Sequence, residues 1–242
     1  MKIIFTIFAF TISVFATNLS EQTTTLSNVN VDKKEATISI GKLSIGQSGI
    51  ILNTDAKENK LIICYATVVS SENDSSLVKF NFKEIIEQHA MPTTKLLPKN
   101  GDTFVLNHLY KNSMIIAPNF KALSETKKLY PNINFLDTDL FGAYLKINNT
   151  PAPTKEDILT FAHKNDLGSI FVIVNDKINI VDSVSFAVID SIPLTTDDKT
   201  SSSPFHTNVE DIKVSTFSFF ELKSIGEYHS YYKKLLGLKD GK

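Results

Sequence analysis

The chain has 242 residues, a formal net charge of −1 and a hydrophobic fraction of 42%, including 17 phenylalanines. This length fits one large domain or two small ones, with enough apolar residues for a buried core. The near-neutral charge provides no general field for nucleic acid or an anionic membrane surface. All 25 basic residues are lysine, so the guanidinium fork that grips phosphate at two points is absent. The composition therefore argues against phosphoryl chemistry and sequence-specific DNA recognition.

The chain begins with a segment typical of a secretory signal peptide, which we place at residues 1–16. Lys2 provides a basic start, residues 3–15 carry no charge, and Val14 and Ala16 precede Thr17. This apolar stretch is well short of the roughly 20 residues that span a bilayer. We therefore predict cleavage near Thr17 and export, with no transmembrane segment left in the mature chain. An uncleaved anchor helix and a buried core helix are the alternative interpretations.

The first half of the mature chain has the pattern of a β-structure. Residues 17–30 are rich in Ser, Thr and Asn, which predicts a flexible segment. From Val31 onward, short runs of β-forming residues alternate with turn residues, which predicts a small antiparallel sheet or barrel. Residues 82–90 are expected to form one or two helical turns. The predicted strands cover residues 36–40, 48–53, 60–69, 76–82, 103–107 and 112–117.

After Pro118 the apolar spacing changes to that of helices. Residues 119–130 form a predicted helix that stops before Pro131. Asp137 or Thr138 is expected to cap a second helix, and Thr154 a third that Gly168 ends. Three strands are predicted next, with the turn residues Asn175–Asp176 between the first two. These strands cover residues 169–174, 177–181 and 185–189.

The last part of the chain combines a polar loop with an amphipathic helix. Residues 195–208 have little core-forming content, 211–218 are a candidate strand, and 221–238 place apolar side chains on one helical face. The predicted fold class is a mixed α+β fold with a β-rich N-terminal half, an α/β C-terminal half and a C-terminal amphipathic helix. The predicted segments are a signal peptide (1–16), a flexible segment (17–30), a β-rich subdomain (31–117), an α/β subdomain (118–192), a loop (193–210), and a strand with the C-terminal helix (211–242).

The sequence contains no motif that specifies catalysis or metal binding. The histidines at 89, 108, 163, 206 and 229 lack the spacing of metal ligands. Asp137 and Asp139 form a candidate carboxylate pair, although helix capping also explains them. Cys64 lies in a predicted buried strand, where it acts as a small hydrophobe. We predict a protein without catalysis or cofactor. The alternative is an enzyme whose site forms around Asp139 and Asp182.

Short blocks along the chain occur in a distinctive order. They are 113–119 (SMIIAPN), 139–145 (DLFGAYL), 153–157 (PTKED) and 180–186 (IVDSVSF), preceded by 46–50 (GQSGI) and 99–102 (KNGD). This arrangement, over roughly residues 30–192, resembles the N-terminal domain family of bacterial plasminogen-binding surface proteins. The resemblance implies an exported, surface-associated protein that captures host plasminogen and has no catalysis of its own. Typical members carry a long tail rich in Lys and Glu, whereas only residues 239–242 (KDGK) are expected after the predicted helix here.

The resemblance also directs attention to lysine side chains, because plasminogen kringles recognise lysine-like ligands. Lys242 is the last residue printed, so it is expected to carry both an ammonium and an α-carboxylate. The partner-binding candidates are Lys233, Lys234, Lys239 and Lys242. For the first three, a solvated basic helix end is an equally plain interpretation. A periplasmic structural or envelope-assembly protein is the competing hypothesis, and nucleic acid is not an expected partner.

Overall fold

The computed structural model describes residues 18–54, 59–82, 96–210 and 225–239. Several sequence predictions concern residues outside these ranges. They are the signal peptide (1–16), most of the helical turns at 82–90, the strand at 211–218, the first part of the C-terminal helix, and Lys242.

The N-terminal part of the described chain is a closed antiparallel barrel. Its strands follow the spatial order β1-β2-β5-β4-β3-β6, and β1 pairs with β6 to close the ring. A closed barrel has no free strand edges. The strands are β1 (Gln22–Asn30), β2 (Glu35–Ile38), β3 (Ser48–Thr54), β4 (Lys60–Ser71), β5 (Ser76–Asn81) and β6 (Thr103–Leu106). The predicted β-rich half is thus confirmed, and of the two forms expected, an open sheet or a barrel, the structure shows the barrel.

Alternating side chains fill the barrel interior. In β5, Val78 and Phe80 point inward, and the β4 residues Ala66 and Val68 face them. Cys64 is buried in this core, where desolvation and the nearby Asp102 charge raise the pKa of its thiol to about 12. The prediction of a structural cysteine in a buried strand is confirmed. Gly49 lets β3 approach β6 closely, because a Cβ there would lie 2.3 Å from the carbonyl oxygen of Val105.

The segment predicted to be flexible, 17–30, instead contributes β1 to the barrel. Leu26 is the one residue of β1 that is fully buried, opposite Ile38 of β2. The polar side chains on both faces hide the strand from a hydrophobic pattern. Backbone pairing to two neighbours, β2 and β6, orders it nonetheless.

The second sheet has five strands in the order β11-β10-β9-β7-β8. β8 and β9 flank β7 in parallel, whereas β10 and β11 pair antiparallel. The strands are β7 (Asn112–Ile116), β8 (Asn134–Leu136), β9 (Ser169–Val174), β10 (Lys177–Asp182) and β11 (Val188–Pro193). β7 therefore belongs to this sheet, although the predicted boundary at residue 117 groups it with the barrel.

Helices pack on both faces of the second sheet. Helix α1 (Phe120–Leu129) covers one face through Ala122 and Leu123. Helices α2 (Thr138–Ile147) and α3 (Lys155–Lys164) cover the other, where the rings of Phe141 and Phe161 lie 4.9 Å apart. The fold is α+β, as predicted.

Capping side chains explain where these helices begin. Asn119 accepts from the Ala122 N–H at 2.8 Å, and Asp137 accepts from the Asp139 N–H at 3.0 Å. Thr154 and Asp157 form a reciprocal capping box at the start of α3. The predicted caps at Asp137 and Thr154 are confirmed. α3 ends at Lys164, before the predicted stop at Gly168.

In the second sheet the predicted turn is present, but the two edge strands, β8 and β11, differ from the prediction. Asn175 and Asp176 adopt φ of 49° and 57°, so the predicted two-residue hairpin turn is confirmed. The predicted strand 185–189 is shifted, since β11 covers Val188–Pro193. β8 was not predicted, because three residues are too short to show a period.

Helix α4 (Tyr228–Leu235) is shorter than the predicted helix at 221–238. Glu227 has an extended backbone (φ −101°, ψ 130°) and caps the helix, so the described residues before it are not helical. The predicted loop at 195–208 contains no helix or strand, yet Phe205 within it is buried and stacks on Phe141. In the described ranges, no helix is long and apolar enough to cross a membrane.

Candidate functional site

Two of the predicted binding lysines, Lys233 and Lys234, lie in the last turn of α4, and the start of that helix is fixed by Glu227. Its carboxylate accepts from the N–H groups of Ser230 at 2.7 Å and His229 at 2.9 Å. These two hydrogen bonds hold the pKa of Glu227 below its ordinary value. The cap thus satisfies N–H groups that otherwise have no partner within the helix.

Polar contacts to three other segments hold α4 on the second sheet. The Tyr228 hydroxyl donates to the Ile116 carbonyl of β7 at 2.9 Å. The Tyr231 hydroxyl donates to the Pro153 carbonyl at 2.9 Å, and the Asn175 N–H donates to His229 Nδ1 at 3.2 Å. Because Tyr228 and Tyr232 are also fully buried, the helix is a firmly placed support.

The C-terminal end of α4 presents the lysines. Gly237 has a φ of 65°, its N–H donates to the Lys234 carbonyl at 3.1 Å, and the Leu238 N–H donates to the Lys233 carbonyl at 3.0 Å. This pair of bonds is a Schellman motif, and Leu238 packs back against the core. Lys234 and Lys239 are consequently exposed, whereas Lys233 is half-buried.

Of the four predicted partner-binding residues, the structure thus places Lys233 and Lys234 in the last turn of α4 and Lys239 just beyond it. Each cation at this end interacts favourably with the helix dipole and stabilises the helix by about 0.3–1 kcal/mol. Lys242 lies outside the described residues. This arrangement can offer ammonium groups to an acidic or aromatic partner surface.

A second polar site, which sequence reasoning missed as a unit, is the Asp182 cluster of Ser48, Tyr110 and Asp182. Asp182 Oδ2 accepts from Ser48 Oγ at 2.5 Å, from the Ser48 N–H at 3.1 Å and from the Tyr110 hydroxyl at 2.5 Å. The three residues are at most 3% exposed. Burial, followed by the adjacent Asp182 charge, raises the pKa of Tyr110 well above its ordinary value.

The Asp182 cluster is saturated by its own partners. Asp182 Oδ1 accepts from the N–H groups of Val184 at 2.9 Å and Ser185 at 2.6 Å, so both carboxylate oxygens are engaged. Asp139 has different partners, accepting from Thr207 Oγ1 at 2.6 Å and from the Asn208 N–H at 2.7 Å. The hydroxyl of Thr207 and the amide groups of Asn208 lower the pKa of Asp139. The two carboxylates suggested for an enzyme are therefore not brought together.

The histidines also have separate environments. His163 Nε2 contacts the Ser183 carbonyl at 2.5 Å, and burial lowers the pKa of His163. His108 Nδ1 lies 3.3 Å from a Glu21 carboxylate oxygen, and His206 meets the Phe120 ring edge-on. His89 lies outside the described ranges. Among the residues described, no group of three His, Cys, Asp or Glu side chains could hold a metal ion.

The chain itself fills the crevice where open α/β sheets usually hold ligands. That crevice lies at the carboxyl ends of β7 and β9, where successive connections leave in opposite directions. Here the Ser202 N–H donates to the Pro118 carbonyl at 2.7 Å, and the His206 N–H donates to the Ala117 carbonyl at 2.8 Å. The Asn119 amide donates to the Thr200 carbonyl at 2.8 Å. A small cavity of about 20 Å³ lies beside these contacts, lined in part by Pro118, Asn119 and Thr200.

With this geometry in place, comparison with known proteins decides the family. A family profile described as "Plasminogen-binding protein pgbA N-terminal" matches residues 21–236. The chain belongs to this family. The match includes the barrel, the second sheet and α4, and it confirms the family suggested by the sequence blocks.

Two curated members of the pgbA group are similar to the chain. Plasminogen-binding protein PgbA from Helicobacter pylori strain J99 is 24% identical over 210 residues, and so is PgbA from strain 26695. The aligned region is 86% of this chain and 46% of each relative. The chain thus spans about half the length of these pgbA proteins. No solved structure gives a significant match to it.

Proposed function

We propose that this chain is an exported, surface-associated protein that binds host plasminogen through lysine side chains. The observation that carries the proposal is membership of the pgbA N-terminal family over residues 21–236, together with two similar proteins named for plasminogen binding. Export is part of the proposal because of the signal peptide predicted at residues 1–16. Catalysis and a cofactor are not required by this function.

Within this proposal, the binding groups are the lysines at the end of α4. Lys234 and Lys239 are exposed beside a helix whose position is fixed by Tyr228 and Tyr231. A rigid support favours binding, because less conformational freedom is lost when a partner engages its side chains. Lys242 extends the same candidate set, and Lys233 contributes to the charge at the base of the site.

The expected affinity of each lysine is modest. An ammonium over an aromatic ring contributes about 0.5–2 kcal/mol, depending on how far it is desolvated. Contacts of this size give weak binding alone. Several copies on one cell surface, meeting a partner with several lysine-binding modules, would raise the apparent affinity by about 10²–10⁴. The proposal therefore requires binding that is weak in solution and stronger on a dense surface.

Surface plasmon resonance on immobilised plasminogen tests the proposal. Residues 17–242 are injected as the parent chain, as Lys234→Gln/Lys239→Gln and as Lys242→Gln. The matched control is Lys127→Gln/Lys128→Gln, which removes two exposed lysines from the last turn of α1. We expect the α4 variant to lose at least about tenfold in affinity, the control to retain it, and free lysine to compete with the parent.

Equal loss in the control would show that general charge, not the end of α4, governs binding. No binding by the parent at a high surface density would overturn the proposed function itself. Protease treatment of intact cells then examines location. Digestion of the chain supports surface exposure, whereas full protection would support the alternative of a periplasmic envelope-assembly protein.

A further inference from the structure

The barrel and the second sheet meet at the Asp182 cluster. Ser48 begins β3 of the barrel, and Asp182 ends β10 of the second sheet. Tyr110 lies in the segment that connects β6 to β7, and thus the two parts. A single carboxylate therefore accepts hydrogen bonds from the barrel, the connecting segment and its own turn.

Because the Asp182 cluster is buried, breaking its hydrogen bonds is costly in free energy. Asp182 and Tyr110 are 0% exposed, and Ser48 is 3% exposed. A buried carboxylate is costly unless hydrogen-bond donors replace the water that it has lost. Of the donors to Asp182, the N–H groups of Val184 and Ser185 belong to its own turn. Separating the barrel from the sheet would remove the two Ser48 donors and leave the Asp182 carboxylate with too few hydrogen bonds.

Close packing beside the cluster joins the same two parts. The Ser185 hydroxyl donates to the Gly46 carbonyl at 2.8 Å. Gly46 lies so near Ala187 that a Cβ on the glycine would be 2.2 Å from the Ala187 Cβ. On the barrel side, the Asn107 N–H holds Ser48 in place by donating to its carbonyl at 2.9 Å. The contact thus combines buried polar bonds with a fit that tolerates no added methyl group.

We infer that the barrel and the second sheet are one cooperative folding unit, and that the Asp182 cluster is the lock that couples their unfolding. Neither part then opens globally without the other, since opening either one leaves buried donors or acceptors unpaired. Independent domains would instead open with separate free energies. The inference concerns the folding of the chain and holds whether or not the chain binds plasminogen.

Native-state hydrogen exchange of the whole mature chain tests this coupling. Val78→Ala weakens the barrel core at a fully buried position of β5. We expect the slowest amides of β4 and of β9 to lose protection by the same factor, within about twofold. Loss of protection confined to the barrel would overturn the inference of one unit.

The role of the Asp182 cluster in this coupling is tested in the same assay by adding Asp182→Asn to Val78→Ala. Asn has one acceptor oxygen, which cannot serve both the Ser48 and Tyr110 donors and the N–H groups of Val184 and Ser185, so the cluster loses bonds and the sheet should no longer follow the barrel. Ser48→Ala provides a milder version if Asp182→Asn prevents folding. Ser113→Ala is the matched control, because its buried hydroxyl donates to Ser169 within the second sheet at 2.8 Å. If β9 still follows the barrel in both lock variants, coupling does not run through the Asp182 cluster.

Discussion

Two neighbouring tyrosines on α4 should respond to the same substitution with opposite signs. Tyr228 and Tyr232 are both at most 1% exposed, and their ring centroids lie 4.7 Å apart. The Tyr228 hydroxyl donates to the Ile116 carbonyl at 2.9 Å. The Tyr232 hydroxyl is buried without a hydrogen-bond partner in the described part of the chain. Removing each hydroxyl in turn therefore compares the loss of a hydrogen-bonded group, in Tyr228, with the loss of an unsatisfied group, in Tyr232.

The expected magnitudes follow from this difference. Tyr232→Phe removes an unsatisfied buried group, whose desolvation costs about 1–3 kcal/mol, so the variant should be more stable. Tyr228→Phe removes a hydrogen bond with a net value of about 0.5–1.5 kcal/mol and should be less stable. For chains of about 150–250 residues, each kcal/mol shifts Tm by about 2–4 °C. Tm should thus rise for Tyr232→Phe and fall for Tyr228→Phe.

Circular dichroism during thermal and urea unfolding at pH 7 measures both effects. Burial raises the pKa of both tyrosines well above the ordinary value, so neither ionises under these conditions. Tyr231→Phe is the control, because it removes a bond to the Pro153 carbonyl at a half-buried site and should cost less than Tyr228→Phe. Equal destabilisation by Tyr228→Phe and Tyr232→Phe would refute the reasoning.

Other predictions concern the barrel core and a helix cap. Gly49→Ala should destabilise the fold by more than about 1 kcal/mol, because its Cβ would meet the Val105 carbonyl. Gly226→Ala, whose Cβ would have no described atom within 4 Å, should be nearly neutral in urea unfolding. Thr154→Ala should lower the free energy of unfolding by about 0.5–2 kcal/mol through loss of the α3 capping box; an unchanged urea midpoint would contradict this role. The Cys64 thiol should resist Ellman's reagent in the native state and react after unfolding. Since burial raises its pKa from 9.0 to about 12, its contribution to stability is present below pH 9 and is lost as pH rises toward 12. Prompt native-state reaction, or an unchanged pH dependence in Cys64→Ala, would contradict this.

Local patterns predicted those elements whose determinants are close in sequence. The strand expected at 60–69 is β4 at Lys60–Ser71, and the Thr154 cap begins α3 where its side chain and following acids indicate. β1 escaped prediction because its mostly polar sequence shows no apolar face, and its order depends in part on pairing with the distant strand β6. α4 begins at Tyr228, later than its apolar spacing suggests, because Glu227 is extended and caps the helix there.

The sites show the same division. The lysines at the end of α4 were visible as a basic helix terminus, but the Schellman turn that exposes Lys234 depends on the conformation of Gly237. The Asp182 cluster joins residues separated by 134 and 72 positions along the chain. One signal was available in the sequence: Asp182 directly follows the apolar pair Ile180–Val181 at the end of a predicted strand, where a charge needs hydrogen-bond partners if it is buried. Its partners depend on how the barrel meets the sheet, which no local pattern specifies.

The attachment of α4 to the second sheet also has a mechanical consequence. The Tyr228 hydroxyl ties the start of α4 to the carbonyl of Ile116, and Ile116 belongs to β7, which has parallel neighbours on both sides. A pull applied beyond Leu238 would therefore be passed to an interior strand of the sheet, not to an edge strand. Such a load must first break this single hydrogen bond and draw Tyr228 out of the core before it reaches the two rows of strand hydrogen bonds beside β7.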